Sequence, residues 1–322
     1  MKAIRVHKPG GPEVLQLEEI AKPSPAEGEL LVRLEAIGVN FTDVQLRRGN
    51  HDVPMPVIPG REGAGTVEAL GPGVTGFDVG DRVAYAPVQG AYAEWTLLPA
   101  AQAIRIPEGM DSNLAAAAML QGMTAHYLCT STFPVQAGQN CLVHAGAGGM
   151  GLILIQMCKA IGATVFTTVS TPEKAELARQ AGADHVILYS RDDFEQEINR
   201  LAGKKALDVI YDAVGKPTFS KGFNLLRQRG MMVLYGAAGG AVEPLAAEGL
   251  RNGGSLFLTY PMLSDYTRTR RELEWRAGEV LNWVNSGRLK LRIETTFPLA
   301  EAAAAHEALE GRRTTGKLLL IP

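Results

Sequence analysis

Cysteine, net charge and long apolar runs are all scarce in this chain. Only three cysteines occur among 322 residues, Cys129, Cys141 and Cys158, each isolated in an apolar context. An odd, dispersed set suits reduced core positions, because free cysteine packs as a small hydrophobe, and it excludes a disulfide framework. Lys and Arg number 32 against 34 Asp and Glu, a net charge of −2 with the signs interspersed. The chain therefore has no general attraction for phosphate backbones or anionic lipid. The basic and aromatic patch of an RNA binder is also missing, which argues against nucleic acid as a partner. No apolar run reaches about 18 residues. The opening MKAIRVHKPGG lacks the apolar segment of a secretory signal. A cytosolic, membrane-free protein is expected.

What is present has two characters. The length of 322 residues with 46% hydrophobic composition is enough for two domains. Up to Pro107 short apolar runs such as Leu30 to Leu34 and Thr66 to Ala69 are broken by Gly and Pro turns, the pattern of a β-rich domain. After Ala115 an Ala-rich helix leads into alternating strands and helices, a parallel-sheet signal. Strands are expected at Cys141 to Ala145, Thr164 to Val169, Val186 to Tyr189, Leu207 to Tyr211, Met231 to Tyr235 and Leu256 to Thr259. Helices are expected at Met150 to Ile161 and Pro172 to Ala181. Thr267 to Arg288 reads as an amphipathic surface helix, its Arg268, Arg270 and Arg271 solvated beside glutamates. Lys317 to Ile321 reads as a last strand returning to the first domain. The fold class is α/β, a doubly wound Rossmann sheet inserted in a β-rich domain, with boundaries at 1–118, 119–262 and 263–322.

The segment His144-Ala145-Gly146-Ala147-Gly148-Gly149-Met150-Gly151 follows an apolar strand and opens a helix, the context in which G-x-G-x-x-G binds a dinucleotide. Gly146 is expected to permit the tight turn, Gly148 to let backbone approach a pyrophosphate, and Gly151 to bring helix and strand together. The helix N-terminus offers unpaired amides to the anion. An NAD-preferring site has an acidic residue at the end of the next strand, where this chain has Ser170-Thr171-Pro172-Glu173-Lys174. Ser170 removes a carboxylate that repels a 2′-phosphate, and Lys174 adds a cation. NADPH is the expected cofactor. Glu173 as a displaced acid and Lys174 as a merely solvated residue stand as alternatives.

These residues resemble the medium-chain dehydrogenase/reductase superfamily, and within it the zinc-independent quinone oxidoreductase (zeta-crystallin-like) group. The resemblance runs through Gly10-Gly11-Pro12-Glu13-Val14-Leu15, Gly38-Val39-Asn40-Phe41-Thr42-Asp43, Gly60-Arg61-Glu62-Gly63-Ala64-Gly65, Gly80-Asp81-Arg82-Val83 and the glycine turn. It implies a GroES-like catalytic domain around the Rossmann domain. Zinc members carry Cys and His where Asn40 and Arg61 stand, and neither replacement supplies a zinc donor. Without a Lewis acid the acceptor is expected to be conjugated, because hydride addition to a quinone or enone spreads the charge. The resemblance further implies that Asn40, Phe41 and Thr124 lie near the nicotinamide. It likewise puts Gly146, Gly148, Gly149, Met150 and Gly151 on the pyrophosphate and Ser170, Thr171, Lys174 and Tyr189 around the 2′-phosphate. Tyr235, Gly236, Ala237 and Ala238, with Tyr260, Met262 and Leu263, are implied to line the cofactor cleft, closed by Gly316 and Lys317.

Many relatives have Tyr two residues after the Asp of the Asn-Phe-x-Asp motif, where this chain has Gln45. Asn40, Asp43 and Gln45 are the acceptor-pocket candidates. Gln45 donates a hydrogen bond without titrating usefully, and Asp43 is either a titratable group or a structural acceptor. His51 is either a donor or an exposed loop histidine. The expected activity is NADPH:quinone reduction, with alkenal or enone reduction as a second enzyme reading and a zeta-crystallin-like RNA-binding or structural role as a third. An exposed sheet edge at Gly254 to Pro261 suggests a homodimer.

Overall fold

The protein is described by a computed structural model that covers residues 1–311 and 314–322. In chain order the strands are β1 (Lys2–Arg5), β2 (Gln16–Glu19), β3 (Glu29–Val39), β4 (Gly63–Leu70), β5 (Arg82–Tyr85), β6 (Trp95–Pro99), β7 (Ile104–Arg105), β8 (Asn140–His144), β9 (Thr164–Val169), β10 (His185–Leu188), β11 (Leu207–Asp212), β12 (Leu226–Leu234), β13 (Phe257–Thr259), β14 (Ile293–Pro298) and β15 (Lys317–Ile321). The helices are α1 (Phe41–Arg47), α2 (Ser112–Tyr127), α3 (Gly149–Ile161), α4 (Pro172–Gln180), α5 (Phe194–Ala202), α6 (Phe219–Gly222), α7 (Ala247–Asn252), α8 (Leu263–Tyr266), α9 (Arg270–Asn285) and α10 (Ala302–Glu310). They group into two compact units, Met1–Met123 with Tyr266–Pro322, and Thr124–Asp265. No described helix is long and apolar enough to cross a membrane.

The first unit is built on a mostly antiparallel sheet in the order β14-β15-β3-β4-β5-β7, with β6 on β3. Leu30, Val32, Leu34, Ile37 and Val39 of β3 enter one apolar core with Val67, Val83, Tyr85, Tyr92, Leu318 and Leu320. Register matters more here than composition. β15 runs antiparallel to β3 with Leu318 opposite Val39, so Lys317 falls beside Asn40, the residue after the strand. On the other flank Ile37 faces Gly63, and the Gly38 amide donates to the Glu62 carbonyl at 3.1 Å. Three segments far apart in sequence thus deliver Asn40, Glu62 and Lys317 to one spot.

The second unit is a six-stranded, all-parallel sheet in the order β10-β9-β8-β11-β12-β13. Chain progression reverses between β8 and β11, the topological switch point outside whose carboxyl edge ligands bind in such sheets. The glycine turn follows β8. Leu142, Phe166, Ile187, Ile210 and Met232 form the core on one side.

Several boundaries differ from the sequence expectations. β12 begins at Leu226 instead of Met231, because the charged segment Arg227 to Gly230 continues the strand past Arg229, at φ 60°. The amphipathic helix is shortened to α9, since Thr269 and Glu272 form a capping box ahead of it and Ser286 ends it. All three cysteines are free and buried. They are not isolated, however: the Cys158 thiol hydrogen-bonds to Cys141, and this bond and burial push its pKa well above the usual range. The cause is α3 packing on β8.

Candidate active site

Asn40 is the N-cap of α1, at φ −134° and ψ 157°. Its backbone N–H donates to Asp43 Oδ2 at 2.9 Å, half of a capping box. Its carboxamide is held from both ends. Nδ2 donates to Glu62 Oε2 at 2.8 Å, and Oδ1 accepts from Lys317 Nζ at 2.6 Å. Lys317 Nζ also reaches Glu62 Oε2 at 2.5 Å, in an ion pair whose side chains are 3% and 0% exposed. Glu62 Oε1 accepts the Leu120 backbone N–H at 2.5 Å. Lys317, expected on the cofactor, thus has two protein partners for its ammonium.

Asp43 anchors a second chain of hydrogen bonds that runs outward. Tyr92 Oη lies 3.3 Å from Asp43 Oδ2 and 2.9 Å from His306 Nε2. His306 Nδ1 is 3.3 Å from Arg47 Nη1. Arg47 pairs with both carboxylate oxygens of Glu310 at 2.9 and 3.0 Å, and Arg48 also bonds Glu310. Directions follow from chemistry. A guanidinium only donates, so Nδ1 of His306 accepts and a neutral ring carries its proton on Nε2. That N–H donates to Tyr92, leaving the Tyr92 hydroxyl to donate to Asp43. Burial, then the Arg47 charge, holds the His306 pKa down at about 4, which keeps the ring neutral. Burial pushes the Asp43 pKa up to about 7, against the Asn40 N–H and the Lys317 charge. Asp43 is therefore both the structural acceptor of α1 and a titratable group, and its Oδ1 is buried without a partner.

Gln45 turns to the loop, its Oε1 accepting from Asn50 Nδ2. Phe41 is half-buried at the start of α1. His51 differs from the exposed loop histidine of the sequence reading: it is half-buried, and burial with the Arg61 charge lowers its pKa. Arg61 Nε is itself buried without a partner. Among the described residues no group of three His, Cys, Asp or Glu side chains is arranged to hold a metal ion.

The remaining candidates lie in the second unit, most at carboxyl ends of parallel strands. The helix N-cap is Gly148, so α3 starts inside the glycine turn. A Cβ on Gly151 falls 2.4 Å from the Ala145 carbonyl oxygen and 2.7 Å from Gly146 Cα, so helix and turn are in backbone contact there. A Cβ on Gly148 meets only the Ala145 oxygen, at 3.3 Å. The expected role of Gly146 needs correction. The left-handed residue of the turn is Ala145, at φ 57°, and Gly146 is small because Thr167 Oγ1, fixed by the Val143 carbonyl, lies 2.0 Å from where its Cβ falls.

Parallel register sets the neighbouring strand ends beside this turn. Gly146 N–H donates to the Thr168 carbonyl at 3.1 Å, Tyr189 N–H to Val169 at 3.1 Å, and Ser190 Oγ to Ser170 at 2.8 Å. Thr171 caps α4, its hydroxyl accepting the Lys174 backbone N–H at 3.3 Å. Glu173 is exposed, and a hydrogen bond with the Thr171 side chain lowers its pKa. Tyr235 N–H donates to Asp212 and Ala238 N–H to Ala213, both at 2.9 Å, which folds Tyr235, Gly236 and Ala237 against the end of β11. Thr124 is buried in α2. Tyr260 and Met262 are exposed after β13, and Leu263 opens α8.

Glu62 as an Asn40 partner, and Tyr92, His306, Arg47 and Glu310 altogether, were missed by sequence reasoning. His306 lies 214 residues from Tyr92 and 259 from Arg47. No local spacing signals such a meeting. For Glu62 a signal existed: Gly38 faces it, and a small residue two before Asn40 makes room for a carboxylate.

Residues 26–108 match the family described as alcohol dehydrogenase GroES-like domain, and residues 149–272 the family described as zinc-binding dehydrogenase. The chain is 43% identical to a 2-haloacrylate reductase of Burkholderia sp. over 98% of both chains. It is 42% identical to a quinone oxidoreductase of Pseudomonas aeruginosa, covering 100% of this chain and 99% of the relative. Among solved structures, Escherichia coli quinone oxidoreductase complexed with NADPH superposes with a TM-score of 0.97 at 40% identity, over 100% of both chains. Asn40 and Arg61, in the first of these segments, offer no zinc donor. With its GroES-like and Rossmann parts and this full-length identity, the chain belongs to the quinone oxidoreductase group of the medium-chain dehydrogenase/reductase superfamily.

Proposed function

We propose that this protein is an NADPH-dependent quinone oxidoreductase that uses no metal. The observation that carries the reading is the turn after β8: backbone amides at a helix N-terminus, open space in front of Gly148, and Ser170 in place of an acid at the next strand end. When bound, NADPH supplies the hydride. The chain's own residues do the rest by binding and orientation. The amides from Gly148 to Gly151 hold the pyrophosphate, Ser170, Thr171, Lys174 and Tyr189 receive the 2′-phosphate, and Tyr235 to Ala238 with Tyr260, Met262 and Leu263 flank the cofactor. For the nicotinamide end the candidates are Asn40 and Phe41 at the start of α1 and Thr124 in α2, with Asn40 offering the hydrogen bonds. Gly148 fits this role because a side chain there would fill the space that the phosphate needs.

Neither a carboxamide at 40 nor a guanidinium at 61 binds zinc, so positioning and hydrogen bonds must suffice for the acceptor. A quinone meets that condition, since the incoming charge delocalises. Similarity to the 2-haloacrylate reductase favours a second reading, reduction of an activated carbon–carbon double bond. Gln45 in place of a phenol leaves solvent as the proton source in either case. We place the enzyme in the cytosol, where three free thiols stay reduced.

The test is NADPH oxidation against a panel of quinones, 2-haloacrylates, enals and simple ketones, before and after chelator treatment. Turnover of quinones that survives chelation is expected, with simple ketones inert. Activity abolished by the chelator would remove the metal-free reading. In the same assay Lys174→Ala is expected to weaken NADPH about 10-fold and leave NADH unchanged, the size of one charge-assisted hydrogen bond.

The reading extends to a homodimer. β13 is the last strand of its sheet, with Phe257 53% and Leu258 37% exposed. Its open backbone edge, carrying apolar side chains, suits the same edge of a second copy across a two-fold axis. Sedimentation equilibrium at micromolar concentration should give a dimer, shifted toward monomer by Leu258→Lys. A monomeric parent protein would sink this part.

A further inference from the structure

The Glu62–Lys317 pair lies in a place where burying two charges gains little stability, because desolvation offsets most of the attraction. Its geometry suggests another use. An asparagine carboxamide is nearly symmetric in shape but not in chemistry: one end accepts, the other donates. At Asn40 the two ends are told apart by partners that have no freedom. The Lys317 ammonium only donates, so it selects Oδ1, and the Glu62 carboxylate only accepts, so it selects Nδ2. Each partner is in turn fixed. Glu62 Oε1 is held by the Leu120 amide, and Gly38 leaves room for Oε2, which lies 2.0 Å from where a Cβ would stand. Lys317 is held by register, since β15 pairs with β3 immediately beside it.

We propose that Glu62 and Lys317 are positioning residues which lock the Asn40 carboxamide in a single orientation, so that it meets the nicotinamide end of the cofactor with a defined donor and acceptor. This rests on the reading of Asn40 given above. The capacity left on the locked amide is a second lone pair on Oδ1 and the second N–H of Nδ2, which has only a long 3.4 Å contact to the Gly38 carbonyl. In the flipped orientation those two exchange places, and a ligand matched to one arrangement faces like against like in the other. The pair need not touch substrate to matter; it acts through Asn40.

The experiment is a double-mutant cycle on kcat. Glu62→Gln with Lys317→Met replaces the ion pair by a neutral pair, avoiding a lone buried charge, and Asn40→Ala removes the amide it is meant to hold. The purified proteins, alone and combined, are compared for kcat and KM with a quinone, for NADPH binding by fluorescence titration and for melting temperature. The neutral pair is expected to lower kcat about 10-fold or more, the scale of losing a fixed reacting geometry. In the Asn40→Ala background it should lower kcat no further, while its effect on melting temperature is the same in both. An equal kcat loss in both backgrounds overturns the proposal, because the pair would then act without Asn40. A silent neutral pair beside a damaging Asn40→Ala overturns the lock and leaves the reading of Asn40 standing. If Asn40→Ala changes neither kcat nor NADPH affinity, that reading fails and the lock with it. Should the double variant not fold, Glu62→Gln with Lys317→Gln, a second neutral pair whose side chains both donate and accept and so no longer tell the two ends of the amide apart, gives the same comparison.

Discussion

Gly151→Ala is expected to weaken NADPH binding about 100-fold and to lower the melting temperature, whereas Gly148→Ala weakens binding and leaves melting unchanged. The two glycines stand three residues apart in one turn, yet their surroundings differ. At Gly151 a methyl group meets backbone on every near side: the Ala145 oxygen at 2.4 Å and two Gly146 atoms at 2.7 and 2.9 Å. Backbone cannot rotate aside as a side chain can, so α3 and the turn must separate. Overpacking of this kind costs about 1–3 kcal/mol, more than the gain of about 1 kcal/mol from replacing glycine by alanine within a helix. The amides that the helix start offers to an anion move with it. At Gly148 the only near atom is the Ala145 oxygen at 3.3 Å, a contact that a slight shift relieves. The folded protein accepts that methyl group, and the phosphate meets it. Fluorescence titration with NADPH and thermal melting of the two variants separate these effects. Wild-type affinity in Gly148→Ala would mean that the pyrophosphate does not approach there.

The cofactor half of the molecule was legible because its chemistry is local. Strand, turn and helix from Asn140 to Ile161 are contiguous, the glycines fall at fixed offsets, and the strand whose end faces the adenosine ribose in such folds is the next one in sequence. Even so, the reason for Gly146 was misassigned, since nothing in the sequence shows that Thr167, on the neighbouring strand, lies against it. The other half was legible only as a list of residues. Asn40 and Asp43 stand three residues apart in sequence, but what they do depends on Glu62, Tyr92, His306 and Lys317, brought in by β-register and by α10. A one-residue slip of β15 would turn Lys317 to the opposite face of the sheet. Pairings of that kind are set by the packing of Leu318 and Leu320 into the core, not by any property of the lysine.

Between pH 4 and 6.5 the chain from Arg47 to Asp43 is expected to contribute almost no net pH dependence to stability, while each of two substitutions exposes a slope of opposite sign. His306 has an ordinary pKa of 6.5, lowered to about 4 in the fold by burial and by Arg47, with Glu310 opposing. As pH falls through this window the unfolded chain binds a proton that the native protein refuses, so native stability is lost. Asp43 behaves in reverse. Its ordinary 3.8 is raised to about 7 by burial and by Glu62, against Asn40, Lys317 and Tyr92. Over the same window the native protein holds a proton that the unfolded chain has released, so native stability is gained as pH falls. Each contribution amounts to about 3 kcal/mol across the window, from 1.36 kcal/mol per pKa unit. Asp43→Asn keeps an oxygen for the Asn40 amide and the Tyr92 hydroxyl but removes the titration. Relative to the parent it should lose about 3 kcal/mol on going from pH 6.5 to 4, while His306→Asn should gain a similar amount. Urea unfolding at pH 4, 5, 6 and 7 measures both, and taking the difference from the parent cancels the surface carboxylates common to all three proteins. Parallel curves for Asp43→Asn and the parent would show that Asp43 keeps an ordinary pKa despite its burial, and that the Asn40 cap rests on a carboxylate throughout this range.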